Sequence, residues 1–146
     1  MKNLEVQWIV GFTDGEGCFN ISISQNKSYK TGFQVLPEFV VVQHKRDIKL
    51  LHGLKSYFKC GIVRQNHGYL YSFRVGKLED LVHIILPFFE KHQLKTMKKV
   101  DFLHFRRVVR LIEDGKHLSQ EGLETILKIK TKEFKIESNS LLEEER

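Results

Sequence analysis

The stretch Trp8-Ile9-Val10-Gly11-Phe12-Thr13-Asp14-Gly15-Glu16-Gly17 constrains this chain more than any other. It begins as an apolar helix and finishes in two acids interleaved with glycines. Leu4, Trp8, Ile9 and Phe12 fall at helical spacing, so a helix is expected from about Leu4 to Thr13, ended by Gly15 and Gly17. Gly11 and Gly15 are four apart and line one side of it. A helix face without side chains lets another backbone come close. Carboxylates at a helix C-terminus oppose the negative end of the dipole, so two of them there point to a nearby cation. The segment reads as a helix packed tightly against a similar helix, with acids at its lower end.

Downstream, Cys18 to Ser24 alternates strictly, with Phe19, Ile21 and Ile23 on one face and Asn20, Ser22 and Ser24 on the other. That is a half-buried strand with a polar outer face. Residues 25–32 form a polar turn, and Phe33 to Gln43 a second strand. Pro37 within it argues for an edge or a bulge. Arg46 to Phe58 has a helical stripe. Gly61–Asn66 and Tyr69–Val75 form a hairpin around His67-Gly68, with Leu70, Ser72 and Arg74 sharing one face. Leu78 to Phe89 is a third helix, broken near Pro87. Lys95 to Asp114 is a fourth, stopped at Gly115, and Ser119 caps a last one through about Lys130. The expected fold is α+β, in the order αββαββα, with a four-stranded antiparallel sheet, helices on one face, and further C-terminal helices. Residues 1–132 form one domain, and 133–146 an acidic, poorly ordered tail.

These residues resemble the signature of the LAGLIDADG homing endonucleases. Ile9 to Gly17 reads I-V-G-F-T-D-G-E-G. The third-position Gly falls on Gly11, the acidic positions on Asp14 and Glu16, and the closing Gly on Gly17. The first two positions and the fifth depart from the name motif within its usual apolar or small variation, and Glu16 replaces the commoner Asp. The order of elements extends the resemblance over roughly residues 4 to 130.

The resemblance implies a Mg²⁺-dependent DNA endonuclease, with Mn²⁺ or Ca²⁺ as alternative occupants. Mg²⁺ takes one or two carboxylates together with phosphate oxygens and waters. Glu16 matches the family's metal-binding acid, and the Gly15 carbonyl would add an oxygen. Asp14 is either a second acid or a tie for the helix end. Gln43 matches a family Gln that orders water at the scissile phosphate. Lys95, in Gln93-Leu94-Lys95-Thr96, matches a lysine that stabilises the transition state. Lys98 and Lys99 compete with Lys95, and Lys45 and Arg46 are candidates for a further basic residue. With a single signature helix, the resemblance implies a homodimer whose interface holds Trp8, Gly11, Phe12 and Gly15. Its target would be near-palindromic, cut to short 3′ overhangs. An RNA-splicing maturase or a non-catalytic DNA-binding protein of the same fold are the alternatives.

The residues themselves supply a DNA-binding face. The outer sheet face offers Asn20, Ser22, Ser24, Gln34, Glu38, Arg64, Asn66, Ser72 and Arg74, a set rich in the amide and guanidinium groups that read base edges. Eight strand residues rise about 26 Å, enough for a half-site of roughly eight base pairs. Asn26, Lys27, Ser28, Tyr29 and Lys30 in the first turn extend that reach. The net charge of +6 and pI near 9.3 suit a polyanion.

Other classes fare worse. No P-loop, G-x-S-x-G or H-E-x-x-H occurs, and the His and Cys residues lack zinc spacing. Asp47-Ile48-Lys49 has a nuclease-like D-x-K form but lies in a helical pattern. There is no small-molecule site to expect, and no apolar run long enough to span a membrane. Met1-Lys2-Asn3-Leu4-Glu5 has no apolar signal core, so the expected location is intracellular, in an organelle or the bacterial cytoplasm. Cys18 and Cys60 are then expected to be reduced and buried.

Overall fold

The structure, a computed structural model, describes residues 3–131. The expected tail at 133–146 lies outside them. Helix α1 spans Val6–Glu16 and runs directly into strand β1, Gly17–Gln25. Strand β2 is Phe33–His44, followed by a short 3₁₀ turn, Lys45–Asp47, and helix α2, Ile48–Phe58. Strands β3, Ile62–His67, and β4, Leu70–Val75, form the second hairpin. Helix α3 joins Leu78–Asp80, a π-helical stretch Leu81–Ile85, and Leu86–Lys91. Helix α4 is Lys98–Glu113, and helix α5 covers 120–131. No helix among the described residues is long and apolar enough to cross a membrane.

The strand order is β1-β2-β4-β3, with every neighbouring pair antiparallel. One face is buried by α2, α3 and α4. Phe19 anchors it, with the rings of Phe39, Phe89, Phe102 and Phe105 centred 5.2 to 5.5 Å away. A buried phenylalanine of this kind contributes on the order of 3–5 kcal/mol against truncation to alanine. Leu51 and Leu54 of α2 and Leu81 and Ile85 of α3 complete the layer, each fully buried. The sheet is thereby fixed in register, and the other face is left open.

Four local expectations need correction. The glycine at position 15 does not end α1, which continues to Glu16; the stop is Gly17. A Cβ at Gly17 would lie 2.6 Å from Thr13 Cγ2 and 3.0 Å from the Thr13 carbonyl oxygen, so no side chain fits. Pro37 does not place β2 at an edge, because β2 lies between β1 and β4. Its first half is nonetheless flanked by β1 alone, since pairing with β4 begins at Phe39, and Pro37 falls in that half. Pro87 does not break α3. The wider π-helical turn just upstream takes up the missing N–H and the ring's clash with the preceding turn. Cys18 is exposed on the outer face of β1 instead of buried. Cys60 is half-buried; burial, then the charge of Asp80, pushes its thiol up to about 11.

The α4 start also shifts, from Lys95 to Lys98. Gly115 stops that helix with φ of 73°, and the Ser119 hydroxyl caps α5 by accepting from the Gly122 N–H at 3.1 Å.

Candidate functional site

The last turn of α1 delivers two carboxylates to different surroundings. Asp14 is a clamp. It accepts from the Lys95 N–H at 2.9 Å, the Thr96 N–H at 3.1 Å and the Thr96 hydroxyl at 2.8 Å. Burial pushes its pKa up. The Lys95 N–H, the Thr96 hydroxyl and N–H, and the Lys95 charge together outweigh that and hold the carboxyl below its ordinary 3.8. These contacts bridge 81 and 82 positions of sequence and fasten the loop before α4 onto the end of α1. Of the two roles left open for Asp14, the structure supplies the tie. Glu16 is different: its carboxylate is exposed and takes no hydrogen bond or salt bridge among the described residues.

The same loop orders the lysines. Lys98 donates from Nζ to the Gly17 carbonyl at 2.6 Å. A cation there opposes the negative end of the α1 dipole. Lys95 is held through its backbone, and its side chain is exposed. Lys99 is turned onto Gln93 Oε1 at 2.9 Å. So the ammonium fixed against the end of α1 belongs to Lys98, which the sequence ranked second to Lys95. One turn along, burial raises the Asp101 pKa, only partly countered by the charges of Lys98 and His104. Sequence reasoning missed this residue, because nothing in its local pattern marks it as desolvated.

Gln43 approaches from the sheet. Val41 pairs with Gly17, the first residue of β1, and Gln43 lies two residues beyond that pair, past the start of β1. It shares its face with Phe39 and Val41, the face on which the helices pack. Lys45 and Arg46 follow on the exposed 3₁₀ turn, which His44 caps through Nδ1 to the Arg46 N–H at 3.1 Å. Glu16, Lys98, Gln43 and this basic turn therefore converge on one end of the sheet. Glu16 and the adjacent carbonyls are hard oxygen donors, which suits a cation that keeps most of its shell for waters and phosphate. Among the described residues no group of three or more His, Cys, Asp or Glu side chains surrounds a metal position.

The outer sheet face carries the expected residues with the expected parity. Asn20 opposes Glu38, Ser24 opposes Gln34, and Arg64 opposes Ser72. Asn20, Ser22, Ser24 and Arg64 are exposed. Several are already engaged: Asn20 Nδ2 donates to Ser22 Oγ at 3.1 Å, and Gln34 Oε1 accepts from Asn26 Nδ2 at 3.4 Å. Ser72 is fully buried, and Arg74 is bound to Glu38, Ser72 and Asn66. Asn26 builds the first turn, accepting from the Ser28 N–H at 3.0 Å and the Ser28 hydroxyl at 2.5 Å, while the Tyr29 N–H donates to its carbonyl. Ser72 and Arg74 thus do not stand free for a ligand as expected, and Asn26 and Ser28 are spent on shaping the turn. The sequence reading put Leu70 on the face of Ser72 and Arg74 but counted neither it nor Leu36 and Ile62 among the binding residues; all three are exposed apolar side chains of outer parity. Their even spacing with the polar residues was the available signal.

The opposite side of α1 is open among the described residues. Trp8 and Phe12 stack at 4.7 Å, with Trp8 39% exposed. A Cβ at Gly11 or Gly15 would meet nothing within 4 Å among the described residues. Packing among the described residues therefore does not require glycine at either position.

The sequence model of the LAGLIDADG endonuclease family matches residues 9–109. Probable intron-encoded endonuclease 2 of Neurospora crassa is 37% identical over 126 residues, which cover 85% of this chain and 28% of that protein. The chain spans about a quarter of the length of three of the curated relatives it matches, 28%, 27% and 23%. The crystal structure of a homing endonuclease, I-TnaI, superposes with a TM-score of 0.84 at 53% identity, covering 87% of this chain and 86% of that one. I-SmaMI, bound to uncleaved DNA target in the presence of calcium ions, gives a TM-score of 0.86 at 40% identity, covering 88% of this chain and 44% of that one.

Proposed function

The chain belongs to the LAGLIDADG endonuclease family, and on that premise we propose that it is an intron-encoded homing endonuclease that makes a divalent-metal-dependent double-strand break in a long, specific DNA site. The observation that carries the reading is the end of α1. There Glu16, exposed and unpaired among the described residues, directly precedes Gly17, whose carbonyl holds the Lys98 ammonium and whose strand position lies two residues from that of Gln43, at the margin of an open polar sheet face. Glu16 and the Gly15 carbonyl would hold the cation, Mg²⁺ in this proposal. When bound, such an ion supplies charge stabilisation at the phosphate and an acidified water. Gln43 orients the attacking water. Lys98 places a positive charge where the phosphorane-like state gains negative charge. Asp14 keeps the lysine loop in place.

The sheet reads the DNA through Asn20, Ser22, Ser24, Gln34 and Arg64, while Leu36, Ile62 and Leu70 offer apolar contacts suited to thymine methyl groups. Tyr29, Lys27 and Lys30 in the first turn extend toward the outer phosphates. Two strands must be cut, so a second active site is needed. We assign it to a second copy of the chain, with Trp8, Gly11, Phe12 and Gly15 facing their equivalents across a two-fold axis. The unfilled space at both glycines supports this reading. I-TnaI has a chain of similar length, whereas the I-SmaMI chain is about twice as long, so a second unit in one longer polypeptide is the competing arrangement.

The test is selection of cleaved sites from a randomised duplex library, with Mg²⁺ and with chelator, beside a molar-mass measurement in solution. The expected result is a near-palindromic site, cut only with the metal, by a dimer. Binding without cutting under any divalent ion would leave a DNA-binding protein and remove the enzyme. A monomer that cuts only one strand would remove the homodimer.

A further inference from the structure

On the outer face, Arg74 of β4 sits beside a carboxylate instead of facing solvent. Its Nη1 donates to Glu38 Oε1 at 2.6 Å, its Nε to Ser72 Oγ at 3.0 Å, and its Nη2 to Asn66 Oδ1 at 3.3 Å. Ser72 in turn donates to Asn66 Oδ1 at 2.6 Å. The pair is well covered, with side-chain exposures of 19% for Arg74 and 29% for Glu38, and Ser72 beneath is fully buried. The geometry follows from the register. Arg74 is opposite Val40, so Glu38 is its diagonal neighbour on the same face. Asn66 reaches the group because the β3–β4 register slips between Gln65 and His67, and this bulge re-aims the extra residue.

An arginine reads guanine by forking two parallel N–H groups onto O6 and N7. Here the Nε–Nη2 edge is taken by Ser72 and Asn66, and the Nη1–Nη2 edge is shared with Glu38. Turning Arg74 outward would break a charge-assisted pair and leave Glu38 unpaired against DNA phosphates. We propose that Glu38 is a specificity-determining residue that acts by restraint: it holds Arg74 in a closed network and keeps the sheet from selecting guanine at the base pair below. The proposal rests on the reading of this sheet face as the DNA-binding surface. Arg74 is then a latent reader, and Glu38 a positioning residue that touches no base.

The experiment is a binding selection on randomised duplex, followed by sequencing, for the wild-type protein, Glu38→Ala, and Glu38→Ala with Arg74→Met. Glu38→Ala is expected to gain guanine at one position per half-site, enriched about ten- to hundred-fold over other bases, with the other positions unchanged. The double variant is expected to lose that gain and return to the wild-type profile at that position. A Glu38→Ala profile identical to wild type overturns the proposal and leaves the DNA-binding reading intact. Should Glu38→Ala fail to fold, the double variant decides: loss of a guanine preference that wild type already had shows that Arg74 reads DNA in the native protein, and an unchanged profile upholds its restraint. A wild-type protein that enriches no duplex overturns both the proposal and the functional reading beneath it.

Discussion

The two sides of the last turn of α1 carry the same chemical group and treat it in opposite ways. On the side toward α4, the Asp14 carboxylate is saturated by donors from Lys95 and Thr96. On the side toward the end of the sheet, Glu16 meets no donor among the described residues. A carboxylate with its lone pairs occupied is a structural fastener, and one left open is available to a ligand. The contrast teaches that acidity at a helix end does not by itself mark a metal site. The partners across the fold decide, and here they separate two acids only two residues apart.

The comparison can be broken first at the lysines. Lys98→Ala should lower single-turnover cleavage by about 10²–10³-fold, the range for losing one preorganised positive or donor group at developing charge. Lys95→Ala should cost far less, because Lys95 is held by its backbone N–H, which the substitution keeps. Equal losses for both would mean that the loop, and not the Lys98 ammonium, is what matters.

Asp14→Asn tests the fastener. Its hydrogen bonds to Lys95 and Thr96 are charge-assisted but partly exposed, so a loss of about 1–3 kcal/mol is expected in denaturant unfolding. The pH dependence gives the sign. The folded carboxyl is held below 3.8, so its contribution is complete above that value and is lost as pH falls through the depressed one. Asp101 acts oppositely: its raised folded pKa makes its contribution fall as pH rises through the range above 3.8. The difference between wild type and Asp14→Asn isolates the first term. A stability difference that persists unchanged through acid would show that Asp14 is not an ionised clamp. The smallest effect is expected at Gln43. Gln43→Ala should reduce cleavage about ten-fold with binding unchanged, since ordering a water is a smaller term than placing a charge. A larger loss than at Lys98 would reverse the ranking.

Much of this was legible in sequence because it is local and periodic. The alternation of Phe19, Ile21 and Ile23 with Asn20, Ser22 and Ser24 gave β1 its two faces, and the sheet keeps that parity. The glycine that stops α4 and the serine that caps α5 were visible for the same reason. What failed was non-local. No pattern within α1 tells Asp14 from Glu16, because Lys95 and Thr96 meet Asp14 across the whole domain. Arg74 looks like a free reader until the register sets it diagonal to Glu38 and the bulge brings in Asn66. The π-helical turn that carries α3 through Pro87 is a packing solution, with no residue of its own to announce it.

The most direct test of the account is Glu16→Gln, measured for single-turnover cleavage and for gel-shift affinity on the same duplex. The substitution keeps size and helix propensity and removes only the charge that would hold the cation. The predicted result is a folded protein that still binds its site and whose cleavage is reduced by several orders of magnitude, on the scale of losing the metal's contribution. Cutting close to the wild-type rate, with binding intact, would contradict the assignment of Glu16, at the C-terminal end of α1, to the active site.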